Sequence, residues 1–134
     1  MTAPVVDPQP LVAALAAAMA AQGIAYAEGK KPTVTAGSPY IVGWFDSGTV
    51  ENRSLMSRDG WSTVVTLQSY GNSPESVRVA VRKGRAAVLA LYGQAVAGRT
   101  VQLPSQSPPP PMQRDDDVQP PLFWQSDEWR IRTA

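Results

Sequence analysis

The stretch WSTVVTLQSYGNSPESVRVAVRKGRAAVLAL (61–91) constrains this chain most, because its hydrophobic period changes from two to about 3.6 across the polar break GNSP. Over 61–70, Trp61, Thr63, Val65, Leu67 and Ser69 share one face of an extended strand, and Ser62, Val64, Thr66, Gln68 and Tyr70 share the other. Neither face is wholly polar. Ser73, Pro74 and Glu75 then make a helix start, with a capping hydroxyl followed by proline at a favoured first position. Val77, Val81, Gly84, Val88, Leu91 and Ala95 recur at alternating spacings of four and three, which predicts an amphipathic helix over about 74–92. Arg78, Arg82 and Arg85 lie on its other side, with Lys83 nearby.

The rest of the chain supplies partners for this unit. Asp7 can cap a helix beginning at Pro8, and Gly23 can end it after Gln22, giving a first helix over about 8–22 with Leu11, Leu15, Ala18 and Met19 on one stripe. The segments 24–28, 32–35 and 39–46 are rich in strand formers. Residues 47–60 are long for a hairpin turn and predict a protruding loop or arm. A short strand is expected at 99–103, and SQSPPPPMQ (105–113) reads as a polyproline connector that must be an edge, a spacer or a contact arm. LFWQ (122–125) and EWRIR (128–132) close the chain as extended segments. The expectation is a single α+β domain over 1–134, with a mostly antiparallel sheet of four to five strands and both helices packed on one face. Within it, 7–104 forms the core, 105–121 the connector and 122–133 a C-terminal strand region.

Composition narrows the function classes. With 134 residues the chain can bury an ordinary core without metal or disulfide staples. It contains neither Cys nor His, which removes thiol nucleophiles, Ser-His triads, zinc sites of the usual kind and the imidazole base. A net charge of +1 does not suit a general nucleic-acid or membrane-surface binder. The Ala-rich run 11–25 is too short to span a bilayer and lacks a basic flank, so it is read as a core helix, with a signal-peptide core as the weaker alternative.

RDDDVQPPLFWQSDEWRIR (114–132) carries the densest charge and aromatic content. Asp115, Asp116 and Asp117 cannot easily converge on one ion, since neighbours on an extended strand point to opposite faces. A metal-dependent hydrolase using them with Asp127 and Glu128 would need ligands from separate elements. The Asp run is either a solvated turn or a protein contact. The arginine stripe is a solvated helix face, a protomer contact or a nucleic-acid contact. A double-stranded-RNA module is the rival reading of the element order, but Ser73, Pro74 and Glu75 stand where such modules concentrate lysine.

The order and spacing of PYIVGWFDSG, a long loop and WSTVVTLQSYGNSPESVRVAVRKGRAAVLAL resemble the tail terminator proteins of long-tailed bacteriophages, over roughly residues 8–133. The resemblance rests on a strand opening with Pro39 and Tyr40, a second strand through Thr63 to Ser69, and the helix start at Ser73 and Pro74. RDDDVQPPLFWQSDEWRIRT is similar to the C-terminal ends of such proteins from phages of actinobacteria, while the proline run at 108–111 departs from the pattern. The resemblance implies a hexameric ring on the head-proximal end of the tail tube, which stops tube growth and docks the head–tail connector. It implies no catalysis, cofactor or membrane. Assembly would take place in the host cytoplasm, with the product in the neck end of the virion tail and only non-specific contact with passing DNA. A different neck protein of the virion is the nearest alternative.

For such a ring the residues point to Arg53, Arg58, Arg78, Arg82 and Arg85 meeting the Asp115, Asp116 and Asp117 of a neighbour, with Trp124 and Trp129 as contact anchors.

Overall fold

The structure is a computed structural model that describes residues 6–51 and 60–134. Helix α1 (Gln9–Ala21) starts behind Asp7, whose carboxylate accepts from the Gln9 amide at 3.0 Å. Strand β1 (Ala25–Glu28) follows. It runs parallel to β2 (Tyr40–Phe45), so the intervening chain has to travel back along both strands. That return explains why 32–35 is not a strand: the segment pairs with no other strand, and it turns at 35–38 through a Ser38 N–H to Thr35 carbonyl bond of 3.0 Å.

Strand β3 (Thr49–Glu51) continues the lane of β2 along β4 (Gly60–Gly71). Between the two, Asp46, Ser47 and Gly48 stand opposite Thr63 and Val64, a bulge of one residue. Asp46 fastens it, its carboxylate accepting from the amides of Gly48 and Val64 at 2.9 and 3.1 Å, while Gly48 takes a φ of +80° that a side chain would resist. The expected arm at 47–60 is thus a paired strand over 49–51, its end at Gly60 belongs to β4, and 52–59 lie outside the described residues.

Ser73 caps α2 (Pro74–Ala90), its hydroxyl accepting from the Ser76 amide at 3.2 Å. The predicted strand at 99–103 is replaced by a hairpin of β5 (Ala95–Val96) and β6 (Arg99–Thr100), with Val101 bridged to Thr133. β7 (Ser105–Gln106) and β8 (Gln113–Asp115) then flank the proline run, and both pair with β9 (Leu122–Thr133). Of the three roles open to the connector, it takes the edge. Six residues, Ser107 to Met112, lie opposite four of β9, so prolines that cannot donate to a ladder are held in a bulge between two paired ends.

The two C-terminal segments are one continuous strand of 12 residues, antiparallel to β4 from Phe123 to Thr133. β9 lies inside the sheet and completes the core, so no boundary separates a core ending at 104 from the C-terminal region. Among the described residues the sheet has seven strands rather than four to five, in the lane order β1, β2, β4, β9, β7, with β3 sharing the lane of β2 and β8 that of β7; all pairs but β1 with β2 are antiparallel. The α+β class and two helices stand as expected.

Both helices cover one face. Leu11, Leu15 and Met19 of α1 and Ala80, Ala87 and Val88 of α2 pack with Ile41, Trp61, Val65, Leu67, Trp129 and Ile131 of the sheet. Gly84 lets α2 approach closely: a methyl group there would sit 3.0 Å from Ile41 Cδ1. Among the described residues, no helix is long and apolar enough to cross a membrane.

Candidate functional site

Strand alternation sends the other half of each central strand to a sheet face that carries no helix. Tyr40, Val42 and Trp44 of β2 fall in register with Tyr70, Gln68 and Thr66 of β4, and Tyr70 and Gln68 with Trp124 and Ser126 of β9. An aromatic ladder results. Tyr40 stacks on Tyr70 at 5.0 Å between ring centres, and Tyr70 on Trp124 at 6.4 Å. Gln68 locks the ladder to Trp44, its side-chain oxygen accepting from Trp44 Nε1 and from the Tyr70 hydroxyl, each at 3.1 Å. Lys31 lies 5.3 Å from the centre of the Tyr40 ring. Partial burial raises the phenol pKa of Tyr40, with Tyr70 adding a smaller push. Trp44 is half exposed. The signal that finds it is the two-residue alternation from Tyr40, which separates Trp44 from Ile41 and Phe45.

The predicted contact residues divide sharply. Arg53 and Arg58 lie outside the described residues. Arg78 and Arg82 are exposed on α2 and line a shallow cleft of about 260 Å³ with Val81, Arg85 and Gln125. Arg85 is committed within the protomer, a correction to its assignment as an interface charge. Its Nε and Nη2 donate to the two oxygens of Asp127 at 2.9 and 3.3 Å, and Asp127 is buried under the helix. The geometry is bidentate, and it ties α2 to β9.

Trp129 is the second correction. It faces the helices and is buried in the core with Val65 beside it in register, so it anchors the fold instead of a partner. Trp124, five residues earlier and on the opposite face, keeps partial exposure at the end of the ladder. The Asp run forms a turn between β8 and β9: Asp115 accepts from the Asp117 amide at 3.0 Å, and Arg114 pairs with Asp116 in solvent. The carboxylate of Asp117 has no partner among the described residues. Asp127, the acid nearest in sequence, is held under α2 by Arg85. No group of three potential ligands lies close enough to hold a metal ion among the described residues.

The two ends of the sheet differ. Where β2 begins and β4 ends, Val34, Tyr40, Val118, Pro121 and Leu122 wall an apolar cleft of about 220 Å³. Beyond the C-terminus of α2, Tyr92 and Leu103 project instead, 59% and 64% exposed.

No family model matches the chain, and no curated protein matches it. Among solved structures, a chain known by a serial designation alone is similar, with a TM-score of 0.52 at 12% identity over 96% of each chain. The likeness establishes a shared fold.

Proposed function

We propose that this chain is a structural virion protein that forms a ring on the head-proximal end of a phage tail tube, ends addition of tube subunits, and offers a docking surface to the head connector. The observation that carries this reading is the two-sided sheet. One face is closed by both helices, while the other carries no helix among the described residues and presents Trp44, half exposed, and the partly exposed Tyr40–Tyr70–Trp124 ladder. Aromatic side chains fixed by stacking and hydrogen bonds are anchors of the kind that dominate protein contacts. The exposed Arg78 and Arg82 form a chemically different surface on the helix layer. Two unlike surfaces on one protomer suit heterologous contacts, which close into rings.

The mechanism is capping. Weak contacts between copies are multiplied by closure, so a ring binds a tube end more tightly than any single copy does. Its partners are further copies of the chain, with hexameric closure carried over from the resemblance, the tail-tube protein and the connector. DNA passing through would be touched without sequence preference. The site of action is the neck of the virion tail, after assembly in the host cytoplasm. No cofactor takes part. Polymerising the cognate tube protein with and without this chain tests the reading, with tube length and end occupancy scored by electron microscopy. Shortened tubes capped at one end are expected. Tubes that grow unchanged while the chain binds a connector would transfer it to another neck role.

A further inference from the structure

We propose that the pocket between Tyr40 and Trp44 on the outer sheet face binds the proline run at 108–111 of a second copy of this chain. The inference rests on the self-assembly reading above and names a contact that would build the ring.

The pocket follows from strand alternation. Tyr40, Val42 and Trp44 lie on one face of β2, and Val42 between the two rings is 6% exposed. It forms the floor of a pocket of about 220 Å³ walled by Tyr40, Tyr70 and Trp44. The walls are set in place: Tyr40 stacks on Tyr70, and Gln68 accepts from both Trp44 and Tyr70.

Besides aromatic rings, the pocket offers hydrogen-bond donors. The side-chain oxygen of Gln68 is taken up by its two bonds, which leaves its NH2 group for a ligand. The charged residues of the lining, Lys30 and Lys31, are both cations. A proline run complements such a lining, because its backbone carries carbonyl oxygens, the negative ends of their dipoles, and no N–H. Grooves walled by aromatic rings take polyproline helices, whose stiffness keeps the entropy cost of docking small.

The run at 108–111 fits in conformation, length and position. Proline fixes φ, and a following proline disfavours the helical region at 107–110, so the run is held near the polyproline helix. Four residues of that helix span about 12 Å, close to the roughly 13 Å that strand geometry puts between the Cα atoms of Tyr40 and Trp44. All four prolines are exposed. Both flanks are fixed, Ser105 and Gln106 on one side and Gln113 to Asp115 on the other pairing with β9. That pairing holds the run on the far side of β9 from the β2–β4 pocket, so a protomer cannot fill its own pocket without undoing it. The edge of one copy then meets the face of the next, a contact between unlike patches of the kind from which rings are made.

The end-blocked peptide SQSPPPPMQ, residues 105–113, is titrated into the full chain, beside a control peptide with alanine at the four proline positions. Calorimetry reads binding and light scattering reads mass. The native peptide is expected to bind at least about tenfold more tightly than the control, and to lower the mass by displacing the run of the neighbouring copy. Trp44→Ala, which removes a wall, is expected to weaken peptide binding at least about tenfold. Equal binding of the two peptides, or equal binding by the native chain and Trp44→Ala, overturns the pocket as a polyproline site. Peptide binding that leaves the mass unchanged, in a protein that light scattering shows to be multimeric, overturns the second copy as occupant while leaving the ring. A chain that stays monomeric at every concentration, with or without tubes, overturns both.

Discussion

The inner and outer faces of strand β4 are built from the same twelve residues and have opposite fates. On the inner face Trp61, Thr63, Val65, Leu67 and Ser69 are all buried beneath the two helices, whereas on the outer face Ser62 is buried but Val64, Thr66, Gln68 and Tyr70 keep partial exposure. The difference shows that apolar content alone does not assign a strand face to the core. A covering layer does so, and here both helices lie on the same side. The inner face therefore carries stability, and the outer face is the one to which the proposed function assigns contacts.

The largest break in that comparison comes from the inner face. Trp129→Ala removes a buried aromatic and leaves a cavity among Val65 and its neighbours, so urea unfolding of the dilute protein should show a loss of about 3–5 kcal/mol. A loss below about 1 kcal/mol would return Trp129 to the surface.

Next is Asp127→Ala. It strands Arg85 beneath the α2–β9 junction, but the arginine side chain is 39% exposed and can turn to water. The expected loss is about 2 kcal/mol, below the range for a fully buried pair. Restoring stability with the additional change Arg85→Leu would show that the stranded charge, not the lost contact, carries the cost.

A smaller effect depends on pH. Tyr26 packs over Gly43, and burial, with Glu28 nearby, pushes its phenol up to about 12 from 10.0. The fold favours the neutral phenol, so its contribution is complete below pH 10 and is lost as pH rises through 12, because the unfolded chain ionises first. The ring is only partly buried, so the loss is on the order of 1 kcal/mol. Tyr26→Phe should flatten the fall in unfolding midpoint between pH 10 and 12 relative to the native chain; parallel curves would exclude Tyr26 as its source.

The smallest change in stability is expected on the outer face. Trp44→Ala should alter unfolding by less than about 0.5 kcal/mol, its bond to Gln68 being exposed, yet it should weaken association between copies. Unfolding and association failing together would merge the two faces into one structural unit.

The helices and central strands were legible in sequence because their periods are set locally. Ser73 and Pro74 start α2 as read, and the alternation from Trp61 to Tyr70 is a strand. What could not be read was long-range. The parallel return from β1 to β2 turned 32–35 into a connector, and the pairing of both proline-flanking segments with β9 raised the strand count. The contact residues follow the same rule. Alternation places Trp124 and Trp129 on opposite faces, but which face the helices cover is a tertiary fact, and so is the choice of Asp127 over the acidic run as partner of Arg85.

The most direct test of the proposed assembly is the mass of the protein by light scattering after size-exclusion chromatography, over a concentration series and again with tail-tube protein present. The account predicts a discrete multiple of 14.3 kDa, six-fold for a hexamer, reached in solution or on the tube. A species of 14.3 kDa at every concentration, indifferent to tubes, would contradict it.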